Sequence, residues 1–154
     1  MFGKLVNQEI NQVLSENIFG RIGFTDNVNS YIIPISYAFH DNTIYCHTRQ
    51  GTKLEVMRKN PSVCFEVEAI SDMANWKTIL CMGTFKEIEN KEERSNALQH
   101  LVDRLLPIMS SETTHLFPNW PFPPTDLNEV KGIVFKIEIT SATGRFEKYD
   151  KFPA

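Results

Sequence analysis

The stretch that decides the fold runs from Ile44 to Val67 and reads IYCHTRQGTKLEVMRKNPSVCFEV. Its first five and its last five residues have the β-branched and aromatic composition of strands. Between them Gly51 interrupts the chain, and the spacing of Thr52 and Glu55 is that of a capping box, which predicts a helix beginning at Thr52. Pro61 ends this helix, because proline disfavours the helical region for the residue before it. The stretch therefore predicts strand, short helix and strand.

Four cations cluster in this stretch, although the net charge of the chain is −3. They are Arg49, Lys53, Arg58 and Lys59. A helix start exposes unpaired N–H groups and the positive end of the helix dipole. With Arg49, Lys53 and the hydroxyls of Thr48 and Thr52, the turn is suited to hold a phosphate, although Glu55 would repel it unless it folds back onto the cap. The alternative is an ordinary basic surface helix.

Length and composition indicate one ordinary globular domain spanning residues 1–154. An isoelectric point near 5.8 argues against nucleic acid as the main partner. No apolar run approaches the ~20 residues that span a bilayer, and the N-terminus lacks the apolar core of a signal peptide. The three cysteines, Cys46, Cys64 and Cys81, have no C-x-x-C spacing and lie in strand-like runs. We expect buried free thiols and a cytoplasmic protein.

The remaining sequence predicts further strands and helices. Strands are predicted at Ile18–Phe24, Tyr31–Phe39, Trp76–Lys86 (with a bend at Gly83) and Val130–Thr140. Helices are predicted at Lys4–Glu16 and Lys91–Leu106, a loop at Glu68–Asn75, and a polar surface tail from Ser141. About six strands with two or three helices predict a mainly β fold, an antiparallel barrel with flanking helices.

The strand Tyr31–Phe39 carries an apolar or aromatic side chain at every odd position. Pro34, at an even position, has no N–H to donate, so it marks a sheet edge, a bulge or a place where something else faces the backbone. Asp41 and Asn42 tolerate positive φ and suit a tight hairpin into the next strand.

The segment 107–128 holds five of the eight prolines together with Phe117, Trp120 and Phe122. It is too aromatic for simple disorder and too long for an ordinary loop. We expect a flap that packs against the barrel or against a partner chain.

Motifs for metal or nucleotide chemistry are absent from the sequence. The four histidines lack the spacing of a zinc site, and no Gly-x-Ser-x-Gly, Walker or Gly-x-Gly-x-x-Gly sequence occurs. His47, on the strand that enters the basic turn, is either a structural hydrogen-bonding residue or a catalytic one. Trp76 is either a core residue at a strand end or a wall for a planar ring.

Together these residues resemble a known family. The order is a helix, a strand containing Tyr31-Ile-Ile-Pro-Ile-Ser-Tyr37, then His47-Thr-x-x-Gly-x-Lys53, then Asn60-Pro-x-Val-Cys-Phe65, then Trp76-x-Thr78. This is similar to the pyridoxamine 5′-phosphate oxidase-related, FMN-binding split-barrel family, in its nitroimidazole-resistance-like branch. The resemblance covers roughly Glu9 to Glu89, with a weaker match from Gly132 to Thr140. The pattern with which true pyridoxamine phosphate oxidases bind pyridoxal phosphate is not recognisable.

The resemblance implies a six-stranded antiparallel split barrel of Greek-key type, a homodimer, and FMN in clefts between the subunits. It implies an oxidoreductase acting on a small planar, possibly nitro-aromatic, substrate; the alternative is a non-catalytic flavin or haem carrier or sensor of the same fold. By position, the residues expected to contact FMN are Pro34, Ile35, Ser36, His47, Thr48, Arg49, Lys53, Trp76, Lys77 and Thr78. Lys53 would take the phosphate, His47 would act near the ring, and Trp76–Thr78 would reach it from the other subunit.

Overall fold

The computed structural model describes residues 1–104 and 126–150. These residues contain eight strands: β1 (Phe2–Lys4), β2 (Phe19–Thr25), β3 (Ser30–Ser36), β4 (Ala38–His40), β5 (Thr43–Thr48), β6 (Ser62–Asp72), β7 (Asn75–Glu87) and β8 (Ile133–Glu147). The helices are α1 (Asn7–Glu16), α2 (Thr52–Lys59) and α3 (Lys91–Asp103), with a 3₁₀ turn at Leu127–Glu129.

All strand pairings are antiparallel and form one sheet in the order β3-β2-β6-β7-β8-β5-β4, with β1 on β8. The two ends of this order, β3 and β4, are consecutive in the chain and separated only by Tyr37. The sheet must therefore curl until its ends meet, which makes it a barrel. Tyr37 is fully buried at the junction, where its hydroxyl donates to the Leu14 carbonyl at 2.7 Å.

Six of the strands are long, whereas β1 and β4 have three residues each. A six-stranded antiparallel split barrel with flanking helices, the expected fold, is thus confirmed. The barrel interior holds the larger apolar cluster, with Phe65, Phe135 and Ile137 at its centre. A smaller cluster packs α3 against the outer side of β4, β5 and β8, through Leu98 and Leu101 among others.

The alternation predicted for the second strand is confirmed. Ile35 and Tyr37 are buried, and the other odd positions are partly buried against the barrel core, whereas Ile32 and Pro34 are exposed. Pro34 pairs with Arg21 of β2 on one side only, since β3 is an end of the sheet order, so the edge alternative holds. Asp41 and Asn42 have φ of 48° and 56° and form the predicted hairpin turn.

Several predicted boundaries are wrong. The sequence predicts a loop from Glu68, but β6 continues to Asp72 because it pairs with β7. It predicts a polar tail from Ser141, but β8 continues to Glu147 for the same reason. α1 begins at Asn7, and β1 precedes it. Cys64 is half-exposed, while Cys46 and Cys81 are buried as expected; all three are free thiols.

The predicted flap at 107–128 lies almost wholly outside the described residues. Its last part is ordered, since the Asp126 carboxylate accepts from the Asn128 N–H at the start of the 3₁₀ turn. Within the described residues no helix is long and apolar enough to cross a membrane.

The predicted bend at Gly83 coincides with a register shift between β7 and β8. A Cβ here would lie 2.6 Å from the Ile137 side chain and 2.7 Å from the Glu138 carbonyl oxygen. We expect Gly83→Ala to lower the free energy of unfolding by about 1–3 kcal/mol through overpacking. Urea denaturation measures it, with Gly51→Ala as the matched control, because a Cβ at Gly51 meets nothing within 4 Å. Equal stability of both variants would contradict this packing.

Candidate functional site

The basic turn lies where β5 leaves the barrel and α2 begins. Gly51 stands at the N-cap position and α2 begins at Thr52, as predicted, but the capping box is absent. No side chain caps this helix, because Thr52 is already the first helical residue and glycine has no side chain. Glu55 is exposed and does not fold back onto the cap. The first N–H groups of α2 therefore have no side-chain acceptor at the cap, as an anion would require.

Two of the four cations in this stretch, Arg58 and Lys59, are not available to a ligand at the start of α2. The Arg58 guanidinium forms a two-point ion pair with Glu87, at 2.8 and 2.9 Å, and also donates to Gln50. That side-chain hydrogen bond with Glu87 raises the pKa of Arg58 and lowers that of Glu87. Lys59 is exposed at the far end of α2. Arg58 is thus already neutralised, whereas Arg49 and Lys53 have no ion-pair partner among residues 1–104 and 126–150.

Lys53 is half-buried at the end of the barrel, close to the thiol of Cys46. Burial lowers the pKa of Lys53 from its ordinary value. Burial also raises the pKa of Cys46 to about 12, so this thiol is neutral and does not act as a counter-ion or a nucleophile. Lys53 therefore brings a partly desolvated positive charge to a site without a described carboxylate.

His47 is held by its backbone surroundings. Its Nε2 N–H donates to the Lys131 carbonyl at 2.5 Å, and the ring packs against Gly132, where a Cβ would lie 2.8 Å from Nε2. Gly132 has φ of +100°, a conformation that favours glycine. The N–H that would serve as a proton donor is occupied, so this geometry favours the structural role of His47. Its catalytic role stays a prediction.

Arg94 of α3 and Arg104, the residue after this helix, both act by their charge on His47, and the sequence did not single them out. Arg94 donates to the Val130 carbonyl at 2.6 Å and to the Gly132 carbonyl at 3.3 Å. Arg104, just after the end of α3, donates to the Ser36 hydroxyl at 3.3 Å. Neither forms an ion pair with a described carboxylate. The sequence gives little indication that these two arginines are site residues, because arginines on helices are usually solvent-exposed.

The predicted site residues thus fall into two groups. In the first group, Ser36 accepts a hydrogen bond from Arg104, whose charge acts on Cys46 of β5 as the charge of Lys53 does, and Thr48 and Arg49 follow on the same stretch of chain. Ile35 is buried and the exposed Pro34 precedes it on the free edge of β3.

The second group, Trp76–Thr78, lies at the opposite end of β8. His47 pairs with Val134 and Trp76 with Glu147, a path of about 40 Å along that strand. Trp76 donates to the Glu147 carboxylate at 3.0 Å and contacts Phe2 edge-on. Trp76 is thus far from the basic turn along β8, whereas across the sheet Thr78 lies closer to the first group, because it donates to Glu66, whose strand partner Arg21 pairs with Pro34.

Comparison with known proteins agrees with this fold. The family model described as pyridoxamine 5′-phosphate oxidase matches residues 7–146. The chain belongs to this family. An uncharacterised protein from Rhizobium meliloti is 26% identical over 157 residues, covering 94% of this chain and 95% of the relative.

Two solved structures of the same fold are similar over almost the whole chain. A FAD-binding protein from Mesorhizobium loti is 26% identical with a TM-score of 0.74, covering 96% of this chain and 99% of the other. A putative 5-nitroimidazole antibiotic resistance protein from Bacteroides thetaiotaomicron is 20% identical with a TM-score of 0.72, covering 95% of this chain and 87% of the other. The fold is therefore one that flavin-binding proteins of this family use.

The histidine of the site makes stability pH-dependent. Burial lowers the pKa of His47, and the positive charges of Arg94, Arg104 and Arg49 lower it further, while the bond to Lys131 opposes them. In the unfolded chain the histidine titrates near its ordinary pKa of about 6.5. As the pH falls, the unfolded chain therefore takes up a proton at a higher pH than the folded chain does. Stability is thus fully present above that pKa and is lost as the pH falls below it.

We expect the free energy of unfolding to decrease between about pH 7 and pH 5, and His47→Asn to flatten this slope. Urea denaturation across that range measures it. Part of the slope should persist, because burial and the neighbouring His40 also lower the pKa of His100. An unchanged slope in the variant would exclude His47 as its source.

Proposed function

We propose that this protein is an FMN-dependent oxidoreductase. The observation that supports it is an excess of positive charge at the end of the barrel. The charges of Arg49, Arg94 and Arg104 act on His47, those of Lys53 and Arg104 act on Cys46, and none of the four cations has a carboxylate partner among the described residues. Lys53, Arg94 and Arg104 are partly buried, and partly buried charges are unfavourable unless an anion pairs with them; the phosphate of a flavin is such an anion.

In this proposal each residue has a limited task. Lys53, with the N–H groups at the start of α2 and the hydroxyl of Thr48, holds the phosphate. Pro34, Ile35 and Ser36 offer the backbone of the free β3 edge to the flavin ring. The flavin, when bound, supplies the electron chemistry, and the chain supplies position, charge and exclusion of water. The proposed substrate is a small planar, possibly nitro-aromatic, molecule.

We expect Lys53→Ala to weaken FMN binding about 10- to 100-fold, the range expected for one hydrogen bond to a charged group, while the protein stays folded. Fluorescence titration with FMN measures it. Riboflavin, which lacks the phosphate, should bind both proteins equally, and Lys59→Ala is the matched control because Lys59 lies at the exposed end of the same helix. Unchanged FMN affinity in Lys53→Ala would exclude the phosphate assignment. Titration with FAD decides between the two flavins.

We propose that the protein is a homodimer, and the observation that supports this proposal is an exposed apolar row on the sheet. Ile32, Gly23, Cys64 and Met82 form one row across the outer face of the sheet, as the strand register dictates. Ile32 is 73% exposed and Met82 is 46% exposed, and an open cleft of about 670 Å³ runs along this row. Exposed apolar sheet surface of this kind is typical of protein interfaces.

The same face of β7 continues towards the second group. Leu80 is 40% exposed on that face, and the Thr78 hydroxyl donates there to Glu66. A second copy docked on this face brings Trp76–Thr78 towards the basic turn of the first copy. Such an isologous contact completes two sites at once.

We expect Met82→Lys to convert the dimer to a monomer and to release the flavin, because a lysine charge would be buried in the interface. Analytical ultracentrifugation measures the mass, and Val28→Lys is the control, since Val28 is 87% exposed in the turn between β2 and β3. A dimer that survives Met82→Lys would exclude this face.

Mixed dimers test whether the site is shared. Lys53→Ala and Trp76→Ala chains, co-expressed, should recover flavin in about a quarter of their sites, because half of the dimers are mixed and each has one intact site. A site built within one chain recovers none.

One observation favours a second candidate, a flavin carrier or sensor without turnover. The N–H of His47 is already donated to Lys131, so the proposed proton donor near the ring is occupied. Addition of NADH or NADPH to the flavin-loaded protein separates the two functions. Bleaching of the flavin absorption supports the oxidoreductase, whereas a flavin that no nicotinamide donor reduces supports the carrier.

A further inference from the structure

Arg104 is an arginine with most of its donors unused. It follows the last residue of α3 and reaches back to the end of β3, where Nη2 donates to the Ser36 hydroxyl at 3.3 Å. Its Nε and Nη1 are buried and have no acceptor among residues 1–104 and 126–150. A guanidinium has five N–H donors, and buried donors in native proteins are almost always paired. Most donors of this side chain therefore have no partner in the described part of the chain.

The surroundings of Arg104 exclude a described side chain as that partner. Its charge acts on the neutral thiol of Cys46, as does the charge of Lys53. It also acts on His47, together with the charges of Arg94 and Arg49. Burial lowers the pKa of Arg104 to about 10, which still leaves it charged at neutral pH. The group is thus a desolvated cation among other cations, an arrangement that is unfavourable on its own.

We infer that Arg104 is an oxyanion-binding residue, and we call the place beside its contact with Ser36 the pocket. The unused N–H groups on Nε and Nη1 suit the oxygens of a phosphate or a carboxylate, for which arginine is the preferred side chain. The anion is either the phosphate of the flavin or an acidic group of the substrate. The choice between these two anions rests on the proposed function, whereas the inference that Arg104 binds an oxyanion rests on the contacts of Arg104 alone.

Arg104 is held between two parts of the barrel. Ser36, its hydroxyl partner, ends β3, and Cys46, its thiol neighbour, lies on β5. Lys53 approaches the same thiol from the start of α2. The pocket therefore draws on three elements that the closure of the sheet brings together, and an anion bound there would link α3 to the barrel.

The test measures the melting temperature of the full chain, without added flavin, in inorganic phosphate and in sodium chloride of equal ionic strength. Phosphate at about ten times its dissociation constant should raise Tm by about 3–6 °C. Arg104→Met should abolish this rise and should melt higher than the wild type in chloride, because it removes an unpaired buried charge. A purely structural role for Arg104 predicts the opposite, a lower Tm in chloride.

Two further variants keep the test decisive. Arg58→Met is the matched control: it loses an arginine that is already paired with Glu87, so it should keep the full response to phosphate. Arg104→Lys retains the charge and should fold even if methionine is not tolerated, with phosphate affinity lowered about tenfold by loss of the planar donor group. A wild type that does not respond to phosphate, or an Arg104→Lys variant with unchanged affinity, overturns the inference.

Repeating the measurement with one equivalent of FMN identifies the anion. Loss of the phosphate response in the FMN-loaded protein assigns the pocket to the flavin phosphate. A response that persists assigns it to an acidic group of the substrate. Both results support an oxyanion site at Arg104. If the chain takes up no flavin, the proposed function fails, and the response of the flavin-free protein still decides the role of Arg104.

Discussion

The structure depends on the closure of its sheet at Tyr37. The two strands that end the hydrogen-bonded order are joined by this single residue, so the sheet has no way to lie flat. Burial of the ring and its hydrogen bond to the Leu14 carbonyl fix α1 across the closure. The same closure puts Ser36, at the end of β3, beside Arg104 of the α3 region. The closure of the sheet at Tyr37 therefore shapes both the barrel and the candidate site.

The charge distribution separates cations that are paired with carboxylates from cations that have no described carboxylate. Arg21, Arg58 and Lys136 each contact one or two carboxylates, and surface pairs of this kind contribute little to stability. Lys53 and Arg104 instead carry desolvated charge towards the barrel end without a described carboxylate. Such an arrangement reduces the stability of the empty protein, and an anion that binds the folded state alone would restore it. Stability and ligand binding are therefore coupled at this site.

The length of the strands separates the predicted site residues along the chain. β7 and β8 are the longest strands, and their pairing places Trp76 far along β8 from the turn at the end of β5. Across the sheet the separation is smaller, because Thr78 donates to Glu66, whose strand partner Arg21 pairs with Pro34. The exposed apolar row on the outer face of the sheet is the surface that the proposed homodimer would use.

The sequence by itself determined the strand–helix–strand unit, the alternation of the second strand, the Asp41-Asn42 hairpin and the family, because these follow from local spacing and composition. It also marked Lys53. The extension of β8 to Glu147 was missed because a polar strand shows no apolar alternation, and only pairing with β7 makes it a strand. Arg104 was missed for a related reason: burial of an arginine, and the absence of a carboxylate around it, depend on neighbours that are distant in the chain. Only the tertiary structure, by closing the sheet and packing α3 against it, decides which cations are left without a counter-ion.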